Sequence, residues 1–186
     1  MKTSKAESEA PAVVLRVDRI ASPIGRITFA VSRHGVCGLT IGDDVERFRA
    51  SIAKKFADGA SGAGVRLEEV ALPALRRSFE HYFAGSIDAL EEIGVDLRGT
   101  AFQQRVWAAL RTIKPGTTAS YGDIARRIGQ PRAGRAVGMA NNRNPVALIV
   151  PCHRVIGADG SMTGYGFGLE TKRWLLRHEK AVAVRP

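Results

Sequence analysis

The hydrophobic pattern of this chain changes near residue 97, and no other feature constrains the fold as strongly. Before that point, short apolar-rich segments lie at 13–17, 26–32 and 36–41. Turn residues separate these segments, which predicts three strands in an antiparallel meander. Helical spacing follows at 45–56 and 72–83, with a loop of small residues over 58–64. After an extended crossover at 95–100, the remaining pattern is mostly helical.

The expected fold class is therefore α+β or α/β with three parts. A flexible leader is expected over 1–11, an amino-terminal α/β domain with a small antiparallel sheet over 12–96, and a mostly helical domain over 97–186. The leader lacks the apolar core of a secretory signal, and no run approaches the roughly 18 apolar residues of a membrane span. The two cysteines, 115 positions apart, form no CxxC pair and indicate a reducing compartment. We expect a cytoplasmic protein without a membrane partner.

The helical part contains a candidate helix-turn-helix. Thr100 is a plausible N-cap for a helix whose apolar positions 102, 106, 107 and 110 share one face. Ser120 is expected to cap a second helix over 121–128, in a capping box with Asp123. A glycine and proline turn separates it from a third helix over 133–140. The second and third helices together are typical of a helix-turn-helix.

The third helix presents small residues where a DNA reader usually carries long side chains. Small residues allow close backbone approach, which suits the minor groove better than sequence readout in the major groove. Arg135 is the exception, and one long cation there can enter the base stack in place of an extruded base. An ordinary phosphate contact or a surface salt bridge is the alternative role for Arg135.

The net charge of the chain is +10, which favours a polyanionic partner. Nucleic acid is the first candidate for that partner. A solvated basic surface with no specific partner is the alternative explanation.

A candidate nucleophile follows the apolar run 146–150. Cys152 stands in the sequence Pro-Cys-His-Arg-Val, just before a glycine-rich segment. Thiolate is the reactive form of cysteine, and the adjacent His153 and Arg154 are expected to favour it or to relay its proton. The alternative is that Cys152 is a small buried hydrophobic residue.

The segment from Phe102 to Glu179 resembles the O6-alkylguanine-DNA alkyltransferases, the methylated-DNA-protein-cysteine methyltransferase family. The motif at 151–155 matches the active site of that family in full. Four further segments match in order and spacing, at 135–138, 144–146, 164–165 and 172–179. The amino-terminal half resembles the family only in its predicted layout, which implies a ribonuclease H-like domain.

The resemblance implies a repair protein that takes an alkyl group from O6 of guanine, or from O4 of thymine, once and irreversibly. Cys152 is then the nucleophile, His153 removes its proton through a bridging water, and Glu179 orients the imidazole. Asn144 fixes the geometry around Cys152, and Tyr121 donates to N3 of the leaving guanine. No cofactor is implied. Without the resemblance, Glu179 is an ordinary solvated residue near the carboxyl end of the chain.

The implied partner is duplex DNA with O6-alkylguanine, bound through its minor groove with the damaged base flipped out, by a monomer. The residues implied to contact DNA are Tyr121, Gly122, Arg132, Ala133, Arg135, Ala136 and Gly138. The residues implied to form the base pocket are Val155, Gly157, Ala158, Asp159, Gly160 and Tyr165. Phe167 departs from the family, whose members often have a small residue there, and a bulky ring can narrow the range of accepted alkyl groups.

Two other functions fit parts of the sequence. A binding module with the same fold flags lesions without transferring the alkyl group, but the presence of Cys152 argues against it. A cysteine hydrolase needs an oxyanion hole and a route for water, and a helix-turn-helix has no purpose there. Some relatives hold a structural zinc in the amino-terminal half through Cys and His, but Cys37 lies in an apolar strand, with His34 in a turn, and no cysteine-rich cluster accompanies His34 or His81, so we expect no metal.

Overall fold

The computed structural model describes residues 13–57 and 64–181. The leader expected over 1–11 and most of the loop expected over 58–64 lie outside these ranges. The amino-terminal part consists of β1 (Val13–Ile20), β2 (Ile27–Ser32), β3 (Gly35–Ile41), α1 (Val45–Ala57), β4 (Val65–Glu69) and α2 (Pro73–Phe83). The three expected strands and two expected helices are confirmed, with ends that shift by one to three residues.

The sheet is mixed, whereas the sequence predicts only an antiparallel meander. Its strand order is β3-β2-β1-β4, and β4 pairs with β1 in parallel. The sequence analysis missed β4 because this strand lies at the edge of the sheet, where polar side chains are tolerated. Arg66 and Glu68 form an ion pair with each other there, so the alternation of apolar residues is weak.

The sheet has buried side chains on both faces. On one face, Ala30 and Cys37 pack with Ile52 and Phe56 of α1. On the other face, Phe29 stacks on Phe79 of α2, with 5.5 Å between ring centroids. That second core continues without a break into the carboxy-terminal part of the chain.

The carboxy-terminal part consists of α3 (Ala101–Leu110), β5 (Ala119–Ser120), α4 (Tyr121–Arg127), α5 (Gly134–Asn142), a short 3-10 helix (Cys152–Arg154), β6 (Val155–Ile156) and α6 (Leu169–His178). The predicted N-cap at Thr100 and the predicted capping box at Ser120 are confirmed, and Thr100 proves to form a capping box as well. Thr100 accepts the backbone N–H of Gln103, and Ser120 accepts that of Asp123. Helix α5 begins one residue later than predicted and ends two residues later.

Helices α4 and α5 pack against each other and against α3. A left-handed Gly129 lies in the turn between α4 and α5, where glycine has no steric penalty. The indole N–H of Trp107 donates to the backbone oxygen of Ala140 at 2.9 Å and joins α3 to α5. Helices α4 and α5 are thus fixed to the core, and one face of each remains accessible to solvent.

Candidate active site

Cys152 lies where the buried segment 146–150 ends. The side-chain amide of Asn144 donates to the backbone oxygen of Val150 at 2.7 Å, and its carbonyl accepts the backbone N–H of Val146 at 3.0 Å. Leu148, between them, has a φ of 72°. Asn144 therefore bridges a tight bend and fixes the backbone that presents Cys152.

The thiol of Cys152 is almost completely buried, and burial raises its pKa above the ordinary value. A hydrogen bond from Asn144 and the charge of Lys172 act in the opposite direction. The sequence analysis assigned this effect to His153 and Arg154, and that assignment is wrong for Arg154. Arg154 instead pairs with Glu179, and the Nε2 atom of His153 faces the same carboxylate, which leaves its Nδ1 atom free of that contact.

Glu179 is fully buried and accepts four hydrogen bonds. Its Oε1 atom accepts from Tyr82 Oη at 2.7 Å and from Arg154 Nη2 at 2.9 Å, and it lies 3.0 Å from His153 Nε2. Its Oε2 atom accepts from Arg154 Nε at 2.8 Å. Burial opposes ionisation of Glu179, but His153 and Arg154 outweigh it and hold the pKa of the carboxyl below its ordinary value. Glu179 is therefore a carboxylate.

The imidazole of His153 is fully buried, and burial lowers its pKa despite the attraction of Glu179. A neutral ring that faces a carboxylate through Nε2 carries its proton there, which leaves Nδ1 as the basic atom. Nδ1 has no hydrogen-bond partner among the described residues. His153 is thus a neutral base held in one tautomer.

Lys172 on α6 is completely buried and was not identified from the sequence. Its Nζ donates to the backbone oxygens of Val155 at 2.6 Å and Thr163 at 3.3 Å. Burial lowers its pKa to about 8. The hydroxyls of Tyr121 and Thr163 lie 2.8 Å apart. Lys172 and Tyr121 therefore both contact Thr163, in the segment that follows β6.

The predicted pocket residues fall in two groups. Val155 is buried beside Cys152, whereas Ala158 and Asp159 are exposed on a turn closed by the 2.8 Å bond from Gly157 N to Ser161 O. The carboxylate of Asp159 is occupied by Ser161, which lowers its pKa. Gly160 lies in the same turn, with a φ of 81°.

Tyr165 is part of the same region and packs edge-on against Phe167, with 5.6 Å between ring centroids. Its hydroxyl is buried without a hydrogen-bond partner in the described part of the chain. Burial raises the pKa of Tyr165 far above its ordinary value, and the nearby Cys152 adds to that effect. Tyr165 is therefore neutral and lies close to the thiol.

The predicted DNA-contacting residues share the surface of α4 and α5. Arg132, Arg135 and Ala136 are exposed, and Gly122, Ala133 and Gly138 are partly exposed. A Cβ added at Gly138 would lie 3.6 Å from the ring of Tyr121, which is an ordinary van der Waals distance. Met139, which the sequence analysis did not consider, lies on the same helix and is 60% exposed.

The three side chains considered as zinc ligands differ in burial. Cys37 is buried in β3, and His34 and His81 are exposed. Over 13–57 and 64–181, no group of three or more His, Cys, Asp or Glu side chains is arranged to hold a metal ion. No helix within these same residues has the length and apolar content needed to cross a membrane.

Three partners that complete the site were not predicted from the sequence, namely Tyr82, Thr163 and Lys172, and Arg154 was predicted in a different role. Tyr82 falls on the apolar face of a predicted helix and is indistinguishable there from a core residue. Lys172 belongs to a segment rich in charge, in which a buried lysine has no separate signal. Arg154 was noticed, but as a partner of the thiol instead of Glu179.

This chain is similar in sequence to several known proteins. Residues 101–181 match the family model described as 6-O-methylguanine DNA methyltransferase, DNA binding domain. A methylated-DNA-protein-cysteine methyltransferase of Mycobacterium bovis is 61% identical over 102 residues, which cover 55% of this chain and 61% of that protein. A protein of the same name from Shigella flexneri is 49% identical over 105 residues, 56% of this chain and 61% of its own length. The chain thus spans about three fifths of these curated relatives.

Solved structures match over most of the chain. The structure of Mycobacterium tuberculosis OGT in complex with DNA superposes with a TM-score of 0.72 at 43% identity, covering 89% of this chain and 92% of the other. The O6-methylguanine-DNA methyltransferase of the archaeon Pyrococcus kodakaraensis superposes with a TM-score of 0.62 at 27% identity, covering 89% and 98%. The likeness therefore includes both parts of the fold.

Proposed function

This chain belongs to the 6-O-methylguanine DNA methyltransferase family, and from that premise we propose that it repairs DNA by moving an alkyl group from O6 of guanine to its own Cys152. The observation that carries the proposal is that the buried thiol of Cys152 is followed in the chain by a neutral histidine, whose Nε2 atom lies 3.0 Å from a buried carboxylate. This is the arrangement of a nucleophile with its general base.

In the proposed reaction, the sulfur of Cys152 attacks the alkyl carbon while the bond from that carbon to O6 breaks. The thiol proton passes to Nδ1 of His153 through a water molecule, because side chains of neighbouring residues seldom touch directly. The electron pair leaves on the guanine, which takes up one proton and becomes the normal base. The thioether is stable, so each molecule reacts once.

Three contacts support the role of Glu179. Arg154 and Tyr82 both donate to its carboxylate, so the carboxylate remains ionised and fixed in direction. An ionised Glu179 stabilises the imidazolium that forms when His153 accepts the proton. Asn144 acts earlier, by fixing the backbone that carries Cys152.

We propose that α4 and α5 act as a helix-turn-helix that meets the minor groove of duplex DNA. Tyr121, whose hydroxyl contacts Thr163, would donate to N3 of the flipped guanine. Arg135 is exposed on α5 and would enter the base stack in place of that guanine. The partly exposed Ala133 and Gly138 allow the backbone of α5 to come close to the sugars.

Further expectations belong to the same proposal. The amino-terminal sheet with its flanking helices would be a ribonuclease H-like domain, divided from the catalytic domain near residue 97. Val155, Gly157, Ala158, Asp159, Gly160 and Tyr165 would surround the flipped base. The protein would act as a cytoplasmic monomer without cofactor or metal.

The test is the mass of the intact protein after incubation with a duplex that contains one O6-methylguanine, followed by peptide mapping. We expect a gain of one methyl group, about 14 Da, on Cys152. A bound lesion without any gain in mass would contradict the proposal and favour a lesion-binding module. Repeated release of product without a stable adduct would instead indicate a hydrolase.

Arg135→Ala tests the proposed role of the arginine in base flipping. The variant should repair duplex lesions about 10- to 100-fold more slowly, because the cost of unstacking is no longer offset. Its reaction with free O6-benzylguanine should keep the wild-type rate, since a free base needs no flipping. Equal slowing with both substrates would show that Arg135 does not fill the base stack.

A further inference from the structure

A groove separates the amino-terminal helix α1 from the carboxy-terminal part of the chain. One section, of about 540 Å³, lies between β3 and α1 on one side and the segment after α5 on the other. A second section, of about 420 Å³, reaches the first turn of α3. Lys55 and Arg143 line both sections, so the two form one continuous channel. We call it the basic groove, lined by the cations Arg47, Lys55, Arg98 and Arg143.

The charge of the basic groove is not neutralised. Against four cations, its lining contains one carboxylate, Asp44, which accepts the backbone N–H of Arg47 at 3.2 Å. Within the described residues, none of the four cations forms a salt bridge. Lys55 and Arg98 lie close enough for the positive charge of Arg98 to oppose protonation of Lys55. Cations that outnumber the carboxylates around them favour an anionic ligand.

Two of these cations are held in place by aromatic rings. Lys55 Nζ lies 5.7 Å from the centroid of the Trp107 ring, and the guanidinium of Arg98 lies 3.7 Å from that of Phe56. A ring orients a cation without removing its net charge, in contrast to a carboxylate. Asp96, the other acid near Lys55, accepts a hydrogen bond from Ser32 at 2.6 Å. The rings thus orient Lys55 and Arg98 without cancelling their charge, while burial lowers the pKa of Lys55 and Asp96 acts against that effect.

The start of α3 adds to the positive potential. Gly99, Thr100 and Gln103 line the second section, and α3 is ten residues long. The first turn of a helix carries a partial positive charge, which favours a nearby phosphate.

The groove is placed for the DNA that α5 would meet. Arg135 lies at the start of α5 and Arg143 just after its end, eight residues later. At about 1.5 Å per residue this is about 12 Å, the rise of three to four nucleotides along one strand. A strand that follows α5 away from the flipped base therefore reaches Arg143 within a few phosphates.

We propose that the basic groove binds the sugar-phosphate backbone of the same DNA duplex, beyond the damaged base, so that α1 of the amino-terminal part contributes to DNA binding. This inference rests on the proposed function, because it requires α5 to lie against DNA. It assigns the groove a phosphate-binding role that adds affinity and carries no sequence preference.

The test compares two double variants of equal net charge. Arg47→Gln/Arg143→Gln removes two exposed cations of the groove, and Arg33→Gln/Arg77→Gln removes two exposed arginines elsewhere.

Affinity is measured at several salt concentrations on lesion-containing duplexes of about one and about three helical turns, roughly 10 and 30 base pairs. On the long duplex, the groove variant should lose about tenfold in affinity, and the slope of log affinity against log salt should fall by about 2. The loss should be smaller on the short duplex, and the control variant should match the wild type on both.

Three other outcomes would contradict either the inference about the groove or the proposed function on which it rests. If both variants behave alike on the long duplex, the groove does not touch DNA. If the groove variant changes the sedimentation of the protein without DNA, the groove receives a second copy of the chain instead. If the wild type takes no methyl group from either duplex, the proposed function itself has failed, and this is distinguishable because the methyl gain is measured on the wild type alone.

Discussion

Two cysteines of this chain are buried to a similar degree in very different surroundings. Cys37 lies in β3 among apolar side chains, and its thiol contacts the backbone oxygen of Ala30 at 3.3 Å. Burial, with a smaller effect of Asp96, raises the pKa of Cys37 to about 12. Burial also raises the pKa of Cys152, but Asn144 and Lys172 oppose it there. At Cys37 the opposing groups are a backbone hydrogen bond of Ser32 and the charge of Arg98, whereas a side-chain amide reaches the thiol of Cys152. We expect such a side-chain contact, and not exposure, to prepare a thiol to react.

The largest expected effect separates the two thiols directly. Cys152→Ala should remove all alkyl uptake but leave DNA binding intact, because the basic surface supplies most of the affinity. Cys37→Ala should keep full uptake and lose about 1 kcal/mol of stability, since it leaves a small cavity in the sheet core. Adduct mass and urea unfolding measure the two effects. Residual alkylation of Cys152→Ala would show that another residue is the acceptor.

The second-largest effect is expected when the negative charge of Glu179 is removed, because the described residues around Cys37 contain no equivalent of the His153–Glu179 pair. Glu179→Gln should slow transfer by about 10²- to 10³-fold, because His153 loses the partner that fixes its tautomer. The buried Arg154 would also lose its counter-charge, at a cost of about 3–5 kcal/mol in stability. Single-turnover rates should therefore be measured at low temperature, with the fraction of folded protein checked by circular dichroism.

Glu170→Gln is the matched control, because this residue lies on the same helix and is exposed. It should change neither rate nor stability measurably. A Glu179→Gln rate within a few-fold of the wild type would show that the carboxylate is structural only.

Much of the fold could be predicted, for reasons visible in particular residues. Thr100 and Ser120 are strong capping residues followed three positions later by partners, so both helix starts are encoded locally. The parallel pairing of β4 with β1 could not be found, since it depends on a contact between segments about 50 residues apart. An edge strand with alternating charges carries little periodicity of its own.

The candidate site, like the fold, has a part that the sequence predicts and a part that it does not. Cys152, His153 and Asn144 lie within nine residues of each other, and their motif is visible in sequence. Tyr82 and Glu179 are 97 positions apart, and only folding brings them together. A buried lysine such as Lys172 breaks the rule that charges remain outside, so composition predicts the opposite of its position.

The third comparison tests whether Lys172 prepares Cys152 electrostatically. Lys172→Met should lower the transfer rate by about tenfold near neutral pH, because the positive charge of Lys172 no longer favours the thiolate form of Cys152. In the wild type, the pKa of Lys172 is lowered to about 8. The amine therefore loses its charge as pH rises through that value, and the rate should fall on the alkaline side.

The pH profile distinguishes this role from a merely structural one. Lys172→Met should lack the alkaline decline, because no charge remains to be lost. Lys172→Arg should also lack it but keep a higher rate, since a guanidinium remains charged at every pH used. An alkaline decline that persists unchanged in Lys172→Met would assign it to another group.

The smallest expected effect concerns the amino-terminal contribution to the Cys152 site. The hydroxyl of Tyr82, on α2, donates to Glu179, and burial together with that carboxylate raises the pKa of Tyr82, which keeps it a donor at all ordinary pH values. Tyr82→Phe should cost about 1–2 kcal/mol in stability and slow transfer only a few-fold, because Arg154 and His153 still hold Glu179.

Tyr165→Phe is the matched comparison: its hydroxyl is equally buried but has no partner in the described residues, so its removal should cost no stability. Urea unfolding of both variants checks this, and equal losses would mean that the Tyr82 hydroxyl contributes through packing and not through its bond to Glu179. A loss confined to Tyr82→Phe would mean that the surroundings of Cys152 extend into the amino-terminal part of the chain, whereas those of Cys37 remain within its own sheet and helix.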